Sequence, residues 1–168
     1  MMLDATTADP AEIRSALSRF PSGVVVLATM REGEPDGLVA SSFTVGVSFT
    51  PPLVLVSVQN CSATWPRLRE AEEIGVSVLA ADQGPLARQI ASRDRARRFR
   101  EVRTVQAGRE ALLLAESPLV LLTTVHDEVP AGDHTVVLLR IRGLREDGRH
   151  EPIVLHDSAF RALEPVLA

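Results

Sequence analysis

Three short tracts carry the residue types that could do chemistry. In Gly37-Leu38-Val39-Ala40-Ser41-Ser42-Phe43-Thr44-Val45-Gly46-Val47-Ser48, small and hydroxyl side chains would leave the backbone of a strand accessible. Backbone N–H and C=O groups can then match the donor and acceptor edge of a planar heterocycle. An ordinary strand whose serines satisfy turns would carry the same residues. In Gln59-Asn60-Cys61-Ser62-Ala63-Thr64-Trp65-Pro66, amides and hydroxyls run from a strand end into a helix start. Free N–H groups and the helix dipole favour a phosphate there, and capping by Thr64 or Ser62 is compatible with that use. Third, Gly132-Asp133-His134 opens a strand after a turn. His134 could contact a cofactor or hold a proton, or it could face solvent beside the turn.

A fourth segment is basic. Seven arginines lie between Arg88 and Arg103, offset by Asp94 and Glu101. A solvated helix accounts for them, and a phosphate-facing subset is compatible with it.

Several other chemistries lack their residues. All 18 basic residues are Arg, with no Lys, which excludes a Walker-type phosphate lysine and a Schiff base. There is no Tyr to act as a phenolic acid or base. The ten glycines form no G-x-G-x-x-G dinucleotide fingerprint, and no G-x-S-x-G elbow is present. Cys61 has no base near it in the sequence and reads as a small hydrophobe. His126, His134, His150 and His156 have no metal-ligand spacing, so no metal site is expected.

The elements that must position these tracts can be read from periodicity. Asp9-Pro10-Ala11-Glu12 predicts an N-cap, a Pro at the first helical position and a capping-box Glu. Ile13, Ala16, Leu17 and Phe20 follow as one apolar stripe, and Pro21 and Gly23 end the helix. Strands are predicted over 24–30, 38–48, 53–58, 74–80, 119–126, 134–145 and 153–156, with a turn at 32–37 and a bulge or close approach at Gly46. Short helices are predicted over 64–72 and in much of 82–100. Strands outnumber helices without alternating with them, which favours a mostly antiparallel barrel over a doubly wound sheet.

At 168 residues the chain fits a single domain, 1–168, and can bury a core without disulfides. Its 45% hydrophobic and 24% charged content is that of a globular protein. The net charge of −4 disfavours a general nucleic-acid binder. The first ten residues contain Asp4 and Asp9 and no apolar run, which argues against a signal peptide. No apolar stretch is long enough to span a membrane. With one cysteine and no export signal, a cytoplasmic location is expected.

Together these tracts resemble the flavin reductase family, the reductase components of two-component flavin-dependent monooxygenases. The resemblance runs from about Phe20 to Leu163, within a domain core expected over about 13–163. It rests on Phe20-Pro21-Ser22-Gly23-Val24, Ala40-Ser41-Ser42-Phe43-Thr44, Pro51-Pro52-Leu53-Val54, Ser62-Ala63-Thr64-Trp65-Pro66, Val76-Ser77-Val78-Leu79, Arg98-Phe99 and Gly132-Asp133-His134, in the family's order. It implies a mostly β fold, a six-stranded antiparallel Greek-key split barrel with short flanking helices, acting as a homodimer. It implies FMN or FAD as flavin, and NADH or NADPH as hydride donor. By resemblance Val39, Ala40, Ser41 and Ser42 contact the isoalloxazine edge. Gln59, Asn60, Ser62 and Thr64 hold the ribityl chain and phosphate, Arg98 and Phe99 close over the phosphate side, and His134 positions the nicotinamide.

The implied activity is an NAD(P)H:flavin oxidoreductase supplying a partner monooxygenase. Alternatives are a flavoprotein that keeps FMN for its own substrate, or a non-enzymatic flavin or haem binder. The chain departs from the family at Val39, where Thr is common, at Phe160, where Tyr is frequent, and in a 44–50 stretch one residue longer than usual.

Overall fold

A computed structural model describes residues 4–165; the remaining residues of the expected 1–168 domain, at the two ends, lie outside it. The chain is mostly β. Helix α1 (Pro10–Leu17) carries the expected capping box, with Asp9 bonded to the first-turn backbone and Glu12 reaching back to the cap. Strand β1 (Ser22–Gly23) is followed by β2 (Val25–Arg31), β3 (Glu34–Ala40), β4 (Thr44–Phe49) and β5 (Pro52–Gln59). Then come α2 (Trp65–Leu68), β6 (Ile74–Val78), α3 (Gly84–Ile90), α4 (Arg95–Arg98), β7 (Thr104–Ala107) and β8 (Ala111–Leu114). The long hairpin β9 (Leu119–Ala131) and β10 (His134–Glu146) precedes β11 (Ile153–His156) and β12 (Ala159–Ala162). Among the described residues no helix is long and apolar enough to cross a membrane.

Most of the pairing lies in one nine-stranded sheet whose path runs β4-β5-β10-β9-β6-β2-β8-β7, with β3 paired to β2 off that path. A smaller sheet joins β1, β11 and β12. Neither sheet closes on itself, and the ladder shows nine and three strands rather than the six expected. Part of the surplus is short pieces not anticipated from the sequence: β1, β7, β12 and β8, a four-residue apolar run that periodicity alone cannot assign.

Strand β2 explains why two cores form. Its alternate residues point to opposite faces, and both faces are buried. Val25 and Leu27 join Val54, Val56, Ile74, Val76, Leu121, Val137 and Leu139 in one apolar cluster. Val26 and Ala28, with the preceding Val24, join Leu79, Ile90, Leu112, Leu114 and Ile153 in the other, beneath α3. Leu27 is wholly buried, and its truncation to Ala would cost roughly 2–5 kcal/mol.

Two local departures shape the site. The strand expected over 38–48 breaks at 41–43, so β3 ends at Ala40. Within β4 the register against β5 slips between Thr44 and Ser48, with Gly46 at φ +72°, the bulge expected there. Helix α1, in contrast, buries none of its apolar stripe: Leu17 is 66% and Phe20 77% exposed.

Candidate functional site

Among the described residues β3 pairs only with β2, which leaves its other edge free, while β5 pairs with β10 on one edge and with β4 on the other. Between β3 and β5 lies a seam. Ser42 spans it: its hydroxyl donates to the Ser57 carbonyl (2.8 Å) and accepts from the Ser57 N–H (3.1 Å). One side chain thus replaces a strand neighbour, and the chain cannot continue β3 straight through that point.

A cavity of about 480 Å³ opens along this seam, within the size range of small-molecule sites. Its wall brings together Val39, Ala40, Ser41, Ser42, Gln59, Ser62, Thr64, Arg98 and His134, residues from four separated segments that the sequence singled out. It also uses Ser57, Val58, Ile90 and Ala91, which the sequence did not mark, and Cys61, which was read as a small hydrophobe and is exposed. Their signal was weak, since Ile90 and Ala91 read as ordinary helix residues and Ser57 as part of an apolar strand. Val39 packs its partly buried side chain against the second core cluster, so a methyl group serves there in place of the hydroxyl a Thr would carry.

The hydroxyls are set up as donors. Ser62 Oγ accepts from the Thr64 and Trp65 N–H groups (3.3 and 3.2 Å), which caps α2. Thr64 makes no cap bond; its Oγ1 accepts from Arg98 Nη1 at 2.8 Å. With their acceptor sides engaged, both O–H protons are left to point at an acceptor.

Arg98 is fixed by four groups. Its Nε donates to the Ser92 carbonyl (2.8 Å), and its Nη1 donates to Gly37 O (3.0 Å) and Thr64, with the Asp36 carboxylate 3.6 Å away. Among the described residues Nη2 has no hydrogen-bond partner. The side chain is only 12% exposed, and burial pulls its guanidinium below the ordinary value while Asp36 opposes the shift. It stays charged under all ordinary conditions.

Asp36, which the sequence offered only as a turn residue, is the hub behind this wall. It accepts from Arg67 Nε (2.6 Å), Arg95 Nη2 (3.1 Å) and the Gly37 N–H (3.0 Å). One carboxylate thus holds three guanidiniums, and Arg98 is the one of them that reaches the cavity wall, where a cation suits a phosphate. Its partners Arg67, Arg95 and Arg98 lie 31, 59 and 62 positions away in the chain, a link no local pattern announces.

His134 begins β10 after the two-residue turn Gly132-Asp133, where Gly132 has φ +66°. Its Nδ1 lies 2.7 Å from Asp133 Oδ1. A carboxylate can only accept, so Nδ1 carries the proton and Nε2 is free. The same bond holds the Asp133 carboxyl below its ordinary range.

Two expected contacts are placed elsewhere. Asn60 does not line the cavity: its amide donates to Gly132 O (3.1 Å) and accepts from Thr135 (2.9 Å), and its backbone N–H bonds Asp133 O. It clamps the hairpin that carries His134. Phe99 turns away into the second core and lies against Gly37, because an aromatic ring gains more from burial there than from capping a polar wall. What remains suits a planar heterocycle bearing a phosphate: a free strand edge, two hydroxyl donors and a buried cation.

Residues 17–164 match the family model described as "Flavin reductase like domain". An NADH-dependent flavin reductase of Rhodococcus sp is 39% identical over 159 residues, covering 92% of this chain and 87% of that protein. An actinorhodin polyketide dimerase of Streptomyces coelicolor is 38% identical over 157 residues, covering 93% and 88%. Other relatives are named as reductase subunits or components of monooxygenases. Among solved structures, the Streptomyces globisporus NADH:FAD oxidoreductase SgcE6, in complex with NAD and FAD fragments, superposes with a TM-score of 0.89 at 31% identity, covering 98% of both chains.

Proposed function

The chain belongs to the flavin reductase-like domain family, and we propose that it is an NAD(P)H-dependent flavin reductase that passes reduced FMN or FAD to a partner monooxygenase. The observation that carries this reading is the convergence of Val39 to Ser42, Gln59, Ser62, Thr64, Arg98 and His134 on one cavity beside a free strand edge. A bound flavin supplies a hydride-accepting ring and the nicotinamide supplies the hydride. The protein's part is orientation. The Val39–Ser42 backbone holds the ring edge, Ser62 and Thr64 donate to the phosphate, and Arg98 neutralises it. His134, held by Asp133 and by the Asn60 clamp on its hairpin, positions the nicotinamide and need not transfer a proton.

The finer features follow the same reading. The six strands in the order β3-β2-β6-β9-β10-β5 surround the first apolar cluster, and we take them as the core of a Greek-key split barrel, the β3–β5 seam being the split. A homodimer would cover the exposed apolar residues Leu17, Phe20, Val45 and Phe49. A cytoplasmic protein would keep its exposed Cys61 reduced.

Steady-state oxidation of NADH and NADPH across FMN and FAD concentrations tests the function. Rates that saturate with added flavin are expected. The relative named as a polyketide dimerase favours one second reading, a flavoprotein that keeps its flavin for its own substrate. A protein purified yellow, whose NADH oxidation ignores added flavin, would support that reading instead.

A further inference from the structure

Helix α4, which carries Arg98, is four residues long and buries none of them. A helix this short has little stability of its own, and its last carbonyls have no donor within the helix. Asp94 caps its start, the carboxylate accepting from the Ala96 N–H (3.2 Å). At its other end the donor comes from outside. Gln89 Nε2, in the last turn of α3, donates to the carbonyls of Arg97, Arg98 and Arg100 at 3.1, 3.2 and 2.9 Å. Carbonyl oxygens only accept, so the amide nitrogen must face them, its two N–H groups shared among three acceptors.

The same stretch of chain holds the far end of the Arg98 side chain. Ser92, three residues after Gln89, supplies the carbonyl to which Arg98 Nε donates (2.8 Å). The end of α3 therefore grips Arg98 at both its main chain and its guanidinium. That end is a firm reference point. Ala87 and Ile90 are 2% and 0% exposed in the second core cluster, and Ile90 also lines the cavity. Asp36 and Thr64 meet the guanidinium, but neither bonds the main chain of α4. A long arginine has many rotamers, and one already held in place binds an anion without the ordering cost of a free one.

We propose that Gln89 is a positioning residue for flavin binding: it fixes the main chain of α4 so that Arg98 stands ready at the cavity wall for the flavin's phosphate. The proposal rests on the flavin reductase reading above, with the phosphate at Arg98. Gln89 does not itself line the cavity, so it acts through Arg98 and not on the flavin.

The neutral variant Gln89→Met keeps the side chain's length and removes its donors. Dissociation constants for FMN, and for riboflavin, which lacks the phosphate, are measured by flavin fluorescence. The proteins are the wild type, Gln89→Met, Arg98→Gln and the double variant. Loss of an oriented, charged contact to phosphate corresponds to roughly tenfold in affinity. Gln89→Met should bind FMN about tenfold more weakly and hold riboflavin within about twofold of the wild type. It should add little to the loss that Arg98→Gln already causes. Equal losses for both flavins would mean that Gln89 only supports the fold, and unchanged FMN binding would mean that Arg98 keeps its place without it. Either result overturns the proposal, as do losses that add in full in the double variant. Failure of the underlying reading looks different. A wild type whose NADH oxidation does not rise with added flavin refutes the reductase reading, and one that binds riboflavin as tightly as FMN takes the phosphate away from Arg98 and the role away from Gln89.

Discussion

Asp36 holds Arg67, Arg95 and Arg98 together, and its own side chain is only 11% exposed. Removing its charge leaves three guanidiniums repelling one another and releases Arg98 from its place. Asp36→Asn should raise the KM for flavin about tenfold and cost about 2 kcal/mol of stability, less than a fully buried pair would because two of the arginines are partly exposed. Flavin titration and denaturant unfolding check the two halves separately. His134 has a different signature. His134→Ala should raise the KM for NADH while flavin affinity stays within about twofold, and loss of flavin binding would show that the ring serves the flavin instead. At Asp147 the carboxyl is pulled well below the ordinary carboxylate range, first by the Arg149 guanidinium and then by the Arg149 N–H. A depressed carboxyl contributes stability that is complete above the ordinary carboxylate range and is lost as pH falls through its lowered value. Asp147→Asn should therefore leave the melting temperature near neutral pH slightly reduced and make its fall on the acid side shallower.

The seam between β3 and β5 is the element on which the site depends. Ser42→Ala removes both of its bonds to Ser57, leaving a backbone donor and acceptor unpaired at the cavity rim. The expected cost is about 1–2 kcal/mol in unfolding, together with weaker flavin binding. Gly37 is equally constrained, since an added Cβ would lie 2.7 Å from both Leu27 O and the Phe99 ring. The elements were legible where periodicity was long or caps were explicit: Asp9-Pro10-Ala11-Glu12 forms the box it spells, and Gly46 takes the bulge. Three four-residue strands, β7, β8 and β12, were not legible, although β11, equally short, was. The cavity wall was legible where hydroxyls and amides clustered locally, at 39–42 and at Gln59, Ser62 and Thr64. The site was not legible at Asp36, whose role needs partners brought from distant segments, nor at Asn60 and Phe99. Those two types suit a cofactor site, but hydrogen bonding to a hairpin and burial in a core claimed them first.

At the scale of the whole molecule, a net charge of −4 coexists with a positive wall where a phosphate would enter, so attraction is local and falls with ionic strength. The exposed apolar residues of α1 and β4 call for a partner surface, and light scattering of the purified protein should give a dimer. Phe20→Glu combined with Phe49→Glu should shift it toward monomer. The most direct test of flavin reduction is anaerobic: the protein is mixed with FAD and NADH, the flavin's visible absorption is followed, and the mixture is then passed through a membrane that retains protein. Bleaching that saturates with NADH, with reduced flavin recovered in the filtrate, is the expected result. Bleaching no faster than NADH and FAD give without protein would contradict it.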